Sequence, residues 1–179
     1  LASQNFTSAT DSYNTAVGMN AGRLVTSGIQ NTIIGGLAGD ALTGGGFSGD
    51  TRQVGADFNT VVGVTALGGD TKGNKSTDTF NTAVGYEAGA AVTTGIDNTL
   101  IGGLAGDALQ DADANVAVGK QALTRDTLGS KSTAVGFNTL ADQNFTSATN
   151  SYNTAMGYNA GGAVTIGIQN TLVGAESGD

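Results

Sequence analysis

A five-residue phrase, Asn-Thr-Ala-Val-Gly or a close variant, recurs nine times along this chain of 179 residues. Five of the eight intervals between successive copies are 17 residues long, and the other three are longer, at 28, 22 and 21 residues. A period that is lengthened but never shortened is typical of a solenoid, in which each coil stacks on its neighbours. Each coil is numbered from the first residue of its phrase, and these residues are Asn14, Asn31, Asn59, Asn81, Asn98, Asn115, Ser132, Asn153 and Asn170.

Glycine occupies position 5 of every coil. An obligatory glycine indicates a positive φ angle or a close approach of two backbones, so we expect a corner there. Short extended stretches between such corners, without a helical period, predict an all-β parallel solenoid (a β-roll) of about nine 17-residue coils, two of them expanded. The predicted corner glycines are Gly18, Gly35, Gly63, Gly85, Gly102, Gly119, Gly136, Gly157 and Gly174.

Positions 3 and 4 are apolar in every coil. Because neighbouring residues of a strand point to opposite sides, one of these rows fills the coil and the other needs a partner outside it. We therefore expect a homo-oligomer. The size variation at position 3, from Ala to Leu, favours that position as the row between chains, with its large members at Ile33, Val61, Leu100 and Leu172.

Polar residues precede these rows. The asparagines at position 1 predict a ladder of parallel side chains at a turn. Threonine stands at position 2 in eight coils, and Val116 in the ninth. We interpret these threonines as an inward or corner ladder bonded to the backbone. The alternative is an outward array as in ice-binding solenoids, which a single recurring threonine per coil disfavours.

The composition argues against several functions. A net charge of −8 argues against nucleic-acid binding, which needs a basic face. The chain has no cysteine or histidine, which removes the usual nucleophiles and bases, so we expect no enzyme activity and no cofactor. No apolar run is long enough to predict a membrane span.

Calcium binding stays open as an alternative. Two stretches, at 35–43 and 45–53, resemble a calcium-binding nonapeptide whose third glycine is displaced, and 111–115 resembles the start of an EF-hand loop. Simple solvated turns explain the same residues. The candidate ligands are Asp40, Asp50, Asp107, Asp111 and Asp113.

We interpret residues 1–179 as one repeat array, cut from a longer chain because both ends fall inside a coil. Two insertions, at 44–58 and 68–80, fall at the same corner of consecutive coils and predict a lateral bump. Insertions on one side of a solenoid often bind partners, although a loop without function is the plain alternative. Asp57, Asp70 and Phe80 belong to the bump, and its binding candidates are Phe47, Arg52, Phe58, Lys72 and Lys75.

The phrases NTAVGMNAG, NTAVGYEAG and NTAMGYNAG, at 14–22, 81–89 and 153–161, resemble the repeats of phage tail-fibre and related surface-fibre proteins. They are also similar to the β-roll head repeats of trimeric autotransporter adhesins. The resemblance covers nearly the whole chain. It implies a homotrimer around a common axis. We expect an extracellular or virion location, with a cell-surface receptor or glycan as a candidate partner.

Together these features predict a non-enzymatic structural shaft of an extracellular or virion fibre that serves attachment to a host or surface. A self-assembling filament without a receptor site is the alternative. A calcium- or carbohydrate-binding solenoid module is the weaker one.

Overall fold

The computed structural model describes residues 1–2, 11–26, 28–40, 42, 57–69 and 79–178. Every regular element in these ranges is a β-strand, and none is a helix, as the sequence predicts. The strands are β1 (Thr15–Val17), β2 (Thr32–Ile34), β3 (Thr60–Val62), β4 (Thr82–Val84), β5 (Thr99–Ile101), β6 (Val116–Val118), β7 (Gly129–Ser130), β8 (Thr133–Val135), β9 (Thr149–Asn150), β10 (Thr154–Met156) and β11 (Thr171–Val173).

Nine of these strands form one parallel sheet in which each coil contributes one strand, in the order β1-β2-β3-β4-β5-β6-β8-β10-β11. The register is constant, because position 2 pairs with position 2 throughout, as Thr82 does with Thr99. The short strands β7 and β9 form a second parallel pair. The described chain is therefore a parallel β-solenoid.

The corner glycines have the conformation that the sequence predicts. All nine have φ between +124° and +143°, a region that side chains rarely adopt. They also approach each other closely. A Cβ atom on Gly102 would lie 2.6 Å from both the carbonyl carbon and the oxygen of Gly119 in the next coil. Stacked glycines thus satisfy both conditions, a positive φ and a close backbone approach.

Three further positions of each coil are left-handed, and most of them carry side chains. Position 7 and the last residue before each phrase have positive φ in all nine coils although none is glycine, as at Glu87 and Asp97. Position 9 is also left-handed, with glycine or leucine there. Most of the backbone amides of these residues donate to the adjacent coil, as the Leu104 amide does to the Tyr86 carbonyl at 2.9 Å. Hydrogen bonding between coils therefore stabilises a left-handed backbone conformation that non-glycine residues rarely adopt.

The core is a narrow column inside the coils, built mainly from position 3, the alanines of position 8 and apolar residues at position 12. The expectation that position 3 lies between chains is therefore wrong. Ile33, Val61 and Leu100 are completely buried inside the solenoid, and Leu172 is partly buried against the same core. Position 3 varies in size because it fills the space left by its interior neighbours. Leu100, for example, lies beside the glycine at position 9 of the preceding coil, Gly89.

Positions 2 and 4 point the opposite way. The threonines of position 2 are exposed or half-buried on the outer side of the sheet, so the inward interpretation of these residues is also wrong. Position 4 shares that side, with Val17 59% exposed and Met156 49% exposed. The alternation along the strand was right, but the two sides were assigned in reverse.

Candidate functional site

The outer side of the nine-stranded sheet is the most extensive unusual surface of the described residues. We define the outward face as positions 2 and 4 on this side of the sheet together with position 6, which follows the corner glycine of each coil. Positions 2 and 4 form one row of threonines and one row of apolar residues, in register along the stack. The position 4 row consists of Val17, Ile34, Val62, Val84, Ile101, Val118, Val135, Met156 and Val173.

Position 6 adds a third row that contains large exposed side chains. Met19 is 73% exposed, Tyr86 57% and Tyr158 56%. The rings of Phe137 and Tyr158, on consecutive coils, stack with their centroids 5.4 Å apart. Sequence reasoning missed this row, although its signal was a bulky residue directly after most corner glycines.

Two glycines interrupt the position 6 row. A Cβ on Gly36 would meet nothing within 4 Å, and one on Gly103 would meet only the Tyr86 carbonyl oxygen at 3.9 Å. Neither glycine has a positive φ. The row therefore has open notches at these two coils, which neither backbone conformation nor contacts within the described chain require.

The outward face carries almost no charge. Among its 27 positions, three in each of nine coils, Lys120 is the only ionisable group apart from the tyrosine hydroxyls. The acidic residues lie elsewhere on the coils, for example Glu87 at position 7 and Asp107 at position 10. The acidic residues are thus excluded from the outward face, although exposed apolar side chains such as Tyr13 and Ile166 also occur elsewhere.

The asparagines of position 1 form the predicted ladder beside this face. The side-chain Oδ1 of Asn81 accepts the Asn98 amide at 3.0 Å, and that of Asn98 accepts the Asn115 amide at 3.0 Å. In five coils the asparagine Nδ2 also donates to a carbonyl of its own coil, as Asn98 does to the Ala112 carbonyl at 2.7 Å. These asparagines are almost completely buried in the middle coils, so the ladder fixes the position of every strand next to it.

The ladder changes where Ser132 replaces asparagine. Gln143 takes over the bridge, because its Nε2 donates to the Ser132 hydroxyl at 3.0 Å and its Oε1 accepts from Asn153 Nδ2 at 2.7 Å. Gln143 Nε2 also donates to Asp126, whose other carboxylate oxygen accepts the amides of Gly129 and Phe145. Asp126 and Gln143 are completely buried, yet this network satisfies them inside the solenoid. It is structural and leaves no polar group aimed outward.

The calcium candidates that the structure describes do not converge. Asp40 pairs with Arg23 at 3.8 Å, Asp111 accepts the Thr94 hydroxyl, and Asp113 accepts the Ile96 amide at 2.9 Å. No group of three potential ligands occurs among the described residues, and Asp50 lies outside them.

The pKa of the Asp107 carboxyl is raised above its ordinary value. Partial burial raises its pKa, a hydrogen bond from the Thr124 hydroxyl at 2.6 Å lowers it, and the charge of Glu87 raises it again. The net direction is upward. The hydrogen bond between Thr124 and Asp107 ties two adjacent coils together, and we assign no ligand to this carboxylate.

Most of the predicted lateral bump lies outside the described residues, including Phe47, Arg52, Asp70, Lys72 and Lys75. The residues that end the two insertions do lie together, because the rings of Phe58 and Phe80 stack at 4.8 Å. Asp57 is 3% exposed, and its carboxylate accepts the Ile29 amide at 2.7 Å. It therefore joins coils and is not an exposed part of the bump.

Comparison with protein-family models, with curated proteins and with solved structures finds no match to this chain. Within the ranges that the structure describes, no helix is long and apolar enough to cross a membrane. The function must therefore be argued from the solenoid and its outward face.

Proposed function

We propose that this chain is the shaft of an extracellular or virion fibre, assembled as a homotrimer, which carries attachment to a host or surface without catalysing a reaction. The observation that carries this proposal is the unbroken stack of nine strands in constant register. Such a stack can be lengthened by adding coils without changing its cross-section, which is the requirement for a shaft.

The interior supports the same role. Corner glycines, asparagines and alanines repeat at the same positions in coil after coil. The same hydrogen bonds between neighbouring coils repeat with them. A rigid column of this kind transmits position and load along its axis. Its acidic side surfaces keep neighbouring shafts apart by charge repulsion.

Location on a fibre is tested by labelling. Antibodies raised against the purified chain, visualised with gold in the electron microscope, should decorate thin appendages on intact cells or particles of the source. Label confined to the interior of permeabilised cells would contradict the proposal. A pre-immune serum of equal titre is the control.

The same microscope separates the shaft from the alternative filament. The purified chain should appear as short rods of uniform length at all concentrations. Rods that join into long filaments as the concentration rises would favour self-assembly end to end over a shaft of fixed length.

A further inference from the structure

We infer that the outward face is where copies of this chain meet, with the copies parallel and each coil against the same coil of its neighbour. This inference rests on the proposed oligomeric shaft and names the surface that builds it. It replaces position 3, which the structure places inside the coil, with positions 2, 4 and 6.

The chemistry of the face fits a protein partner. Exposed or half-buried valine, isoleucine and methionine side chains form a continuous row at position 4, with aromatic side chains beside it at position 6, and contiguous apolar surface of this kind marks interaction sites. The cores of protein interfaces are enriched in tyrosine, phenylalanine and methionine and depleted of charge. The outward face has all three residue types and a single lysine, Lys120, in a chain of net charge −8.

The size of the face fits a second copy. Nine strands about 4.8 Å apart span roughly 40 Å, and the residues from position 2 to position 6 span roughly 15 Å. Each face therefore offers about 600 Å², and three such faces turned toward a common axis bury about 1,800 Å² in total, within the size range of stable interfaces. A partner must also present apolar groups at the spacing of the coils along this whole length, and a parallel copy of the same chain does so.

The volumes along the face indicate that something covers it. Isoleucine occurs at position 4 only where position 6 is glycine, in the pairs Ile34 with Gly36 and Ile101 with Gly103. The other seven coils carry valine or methionine at position 4 with residues from alanine to tyrosine at position 6, so the compensation is confined to these two coils. Solvent does not require such compensation, whereas close packing does. Because the compensation acts within single coils, it favours copies in register, as a closed ring about an axis along the stack demands.

The test begins with the mass of the complete chain in solution, measured by light scattering after size exclusion. We expect an oligomer of the 17.6 kDa chain. Changing Val84 and Ile101 to lysine should convert it to a monomer with an unchanged β circular dichroism spectrum, because both side chains point away from the core. The matched control changes two exposed glutamines off the face, Gln30 and Gln110, to lysine, which adds the same charge and should leave the oligomer intact.

Chemical crosslinking tests the same face without depending on whether the lysine variant folds. The chain has no cysteine, so Met156→Cys introduces a single thiol near one end of the sheet. A short bis-maleimide should join copies through this thiol, because parallel copies bring Met156 beside itself. Gln110→Cys, off the face, should stay uncrosslinked.

The outcomes separate the two claims. An oligomer that survives Val84→Lys with Ile101→Lys, and that crosslinks at Gln110→Cys rather than Met156→Cys, would overturn this face while the proposed shaft stands. A parent chain that is monomeric at every concentration would overturn both this inference and the trimer of the proposed function.

Discussion

At the scale of single residues, the corner glycines are the most constrained positions of the chain. Gly102 has φ of +133°, and its absent Cβ would overlap the backbone of Gly119. Its neighbour Gly103 has neither restriction, although both are glycines in the same turn. Backbone geometry therefore requires glycine at position 102 but not at position 103.

We predict that Gly102→Ala destabilises the fold by several kcal/mol, because the new Cβ meets strain and a backbone overlap together. Gly103→Ala should change the free energy of unfolding by less than about 1 kcal/mol, because the added methyl group overlaps no atom and only reduces the freedom of the unfolded chain. Urea unfolding of the two variants measures both. Equal losses of stability would show that the corner is assigned to the wrong glycine.

A second prediction at this scale concerns Asp107. Removing the Thr124 hydroxyl, by Thr124→Val, should raise the pKa of Asp107 further, because that hydrogen bond favours the carboxylate. A carboxyl whose folded pKa lies above its unfolded pKa stabilises the fold most at acidic pH, and loses that contribution as pH rises through the folded pKa. Thr124→Val should therefore cost more stability at neutral than at acidic pH. Carbon-13 NMR titration of Asp107 gives the pKa directly, and an unchanged or lower value would contradict the argument.

At the scale of elements, the asparagine ladder holds each strand to the next. Asn98 is completely buried. Its backbone amide donates to Asn81 in the preceding coil, and its Oδ1 accepts the Asn115 amide of the next coil. Its Nδ2 donates to the Ala112 carbonyl of its own coil. Its neighbour Thr99 begins strand β5 on the outward face, where coil six already carries Val116. The two side chains lie side by side in sequence but on different sides of the sheet.

We predict that Asn98→Ala costs about 1–3 kcal/mol for each buried group that it leaves unpaired, chiefly the Asn115 amide and the Ala112 carbonyl. Thr99→Val should stay within about 0.5 kcal/mol of the parent as a change on the outer side of the sheet. Thermal unfolding measures the difference, and hydrogen exchange at the Asn115 amide should accelerate only in Asn98→Ala. Slow exchange there in both variants would mean that the ladder does not hold the strand.

Sequence reasoning predicted the elements better than their orientation. The glycine corners and the asparagine ladder follow from residue chemistry alone, since few other residues fit those places. Alternation shows that Leu100 and Ile101 point to opposite sides, but it does not say which side is inside. That depends on Gly89 in the preceding coil, which leaves the space that Leu100 fills.

Other features had weaker signals. Non-glycine residues such as Glu87 and Asp97 adopt left-handed φ because pairing between coils imposes it, and their side chains do not indicate this.

The buried network of Asp126 and Gln143 had a readable signal. In both coils leucine replaces glycine at position 9 and a polar residue replaces the apolar one at position 12. Leu123 and Leu140 then fill the core, which frees position 12 for a polar bridge.

At the scale of the whole molecule, one repeat gives the chain two different surfaces. The outward face is apolar and nearly uncharged, while the acidic residues occupy the remaining sides. In the assembly that we propose, the outward face is buried between copies and the acidic sides face water. Its length grows by a fixed step for each coil, so separation along the axis depends on coil number and not on distance in sequence.

That dependence is the most direct test of the solenoid. Spin labels on cysteines replacing Gln30 and Asp97, three coils apart at the exposed last position of their coils, should lie about 14 Å apart, and labels at Gln30 and Gln169, seven coils apart, about 34 Å. Electron double resonance, with labelled chains diluted into unlabelled ones, measures both distances. Two narrow distributions in this order and proportion are the predicted result. A Gln30–Gln169 distance equal to or shorter than the Gln30–Asp97 distance would contradict the stacked solenoid.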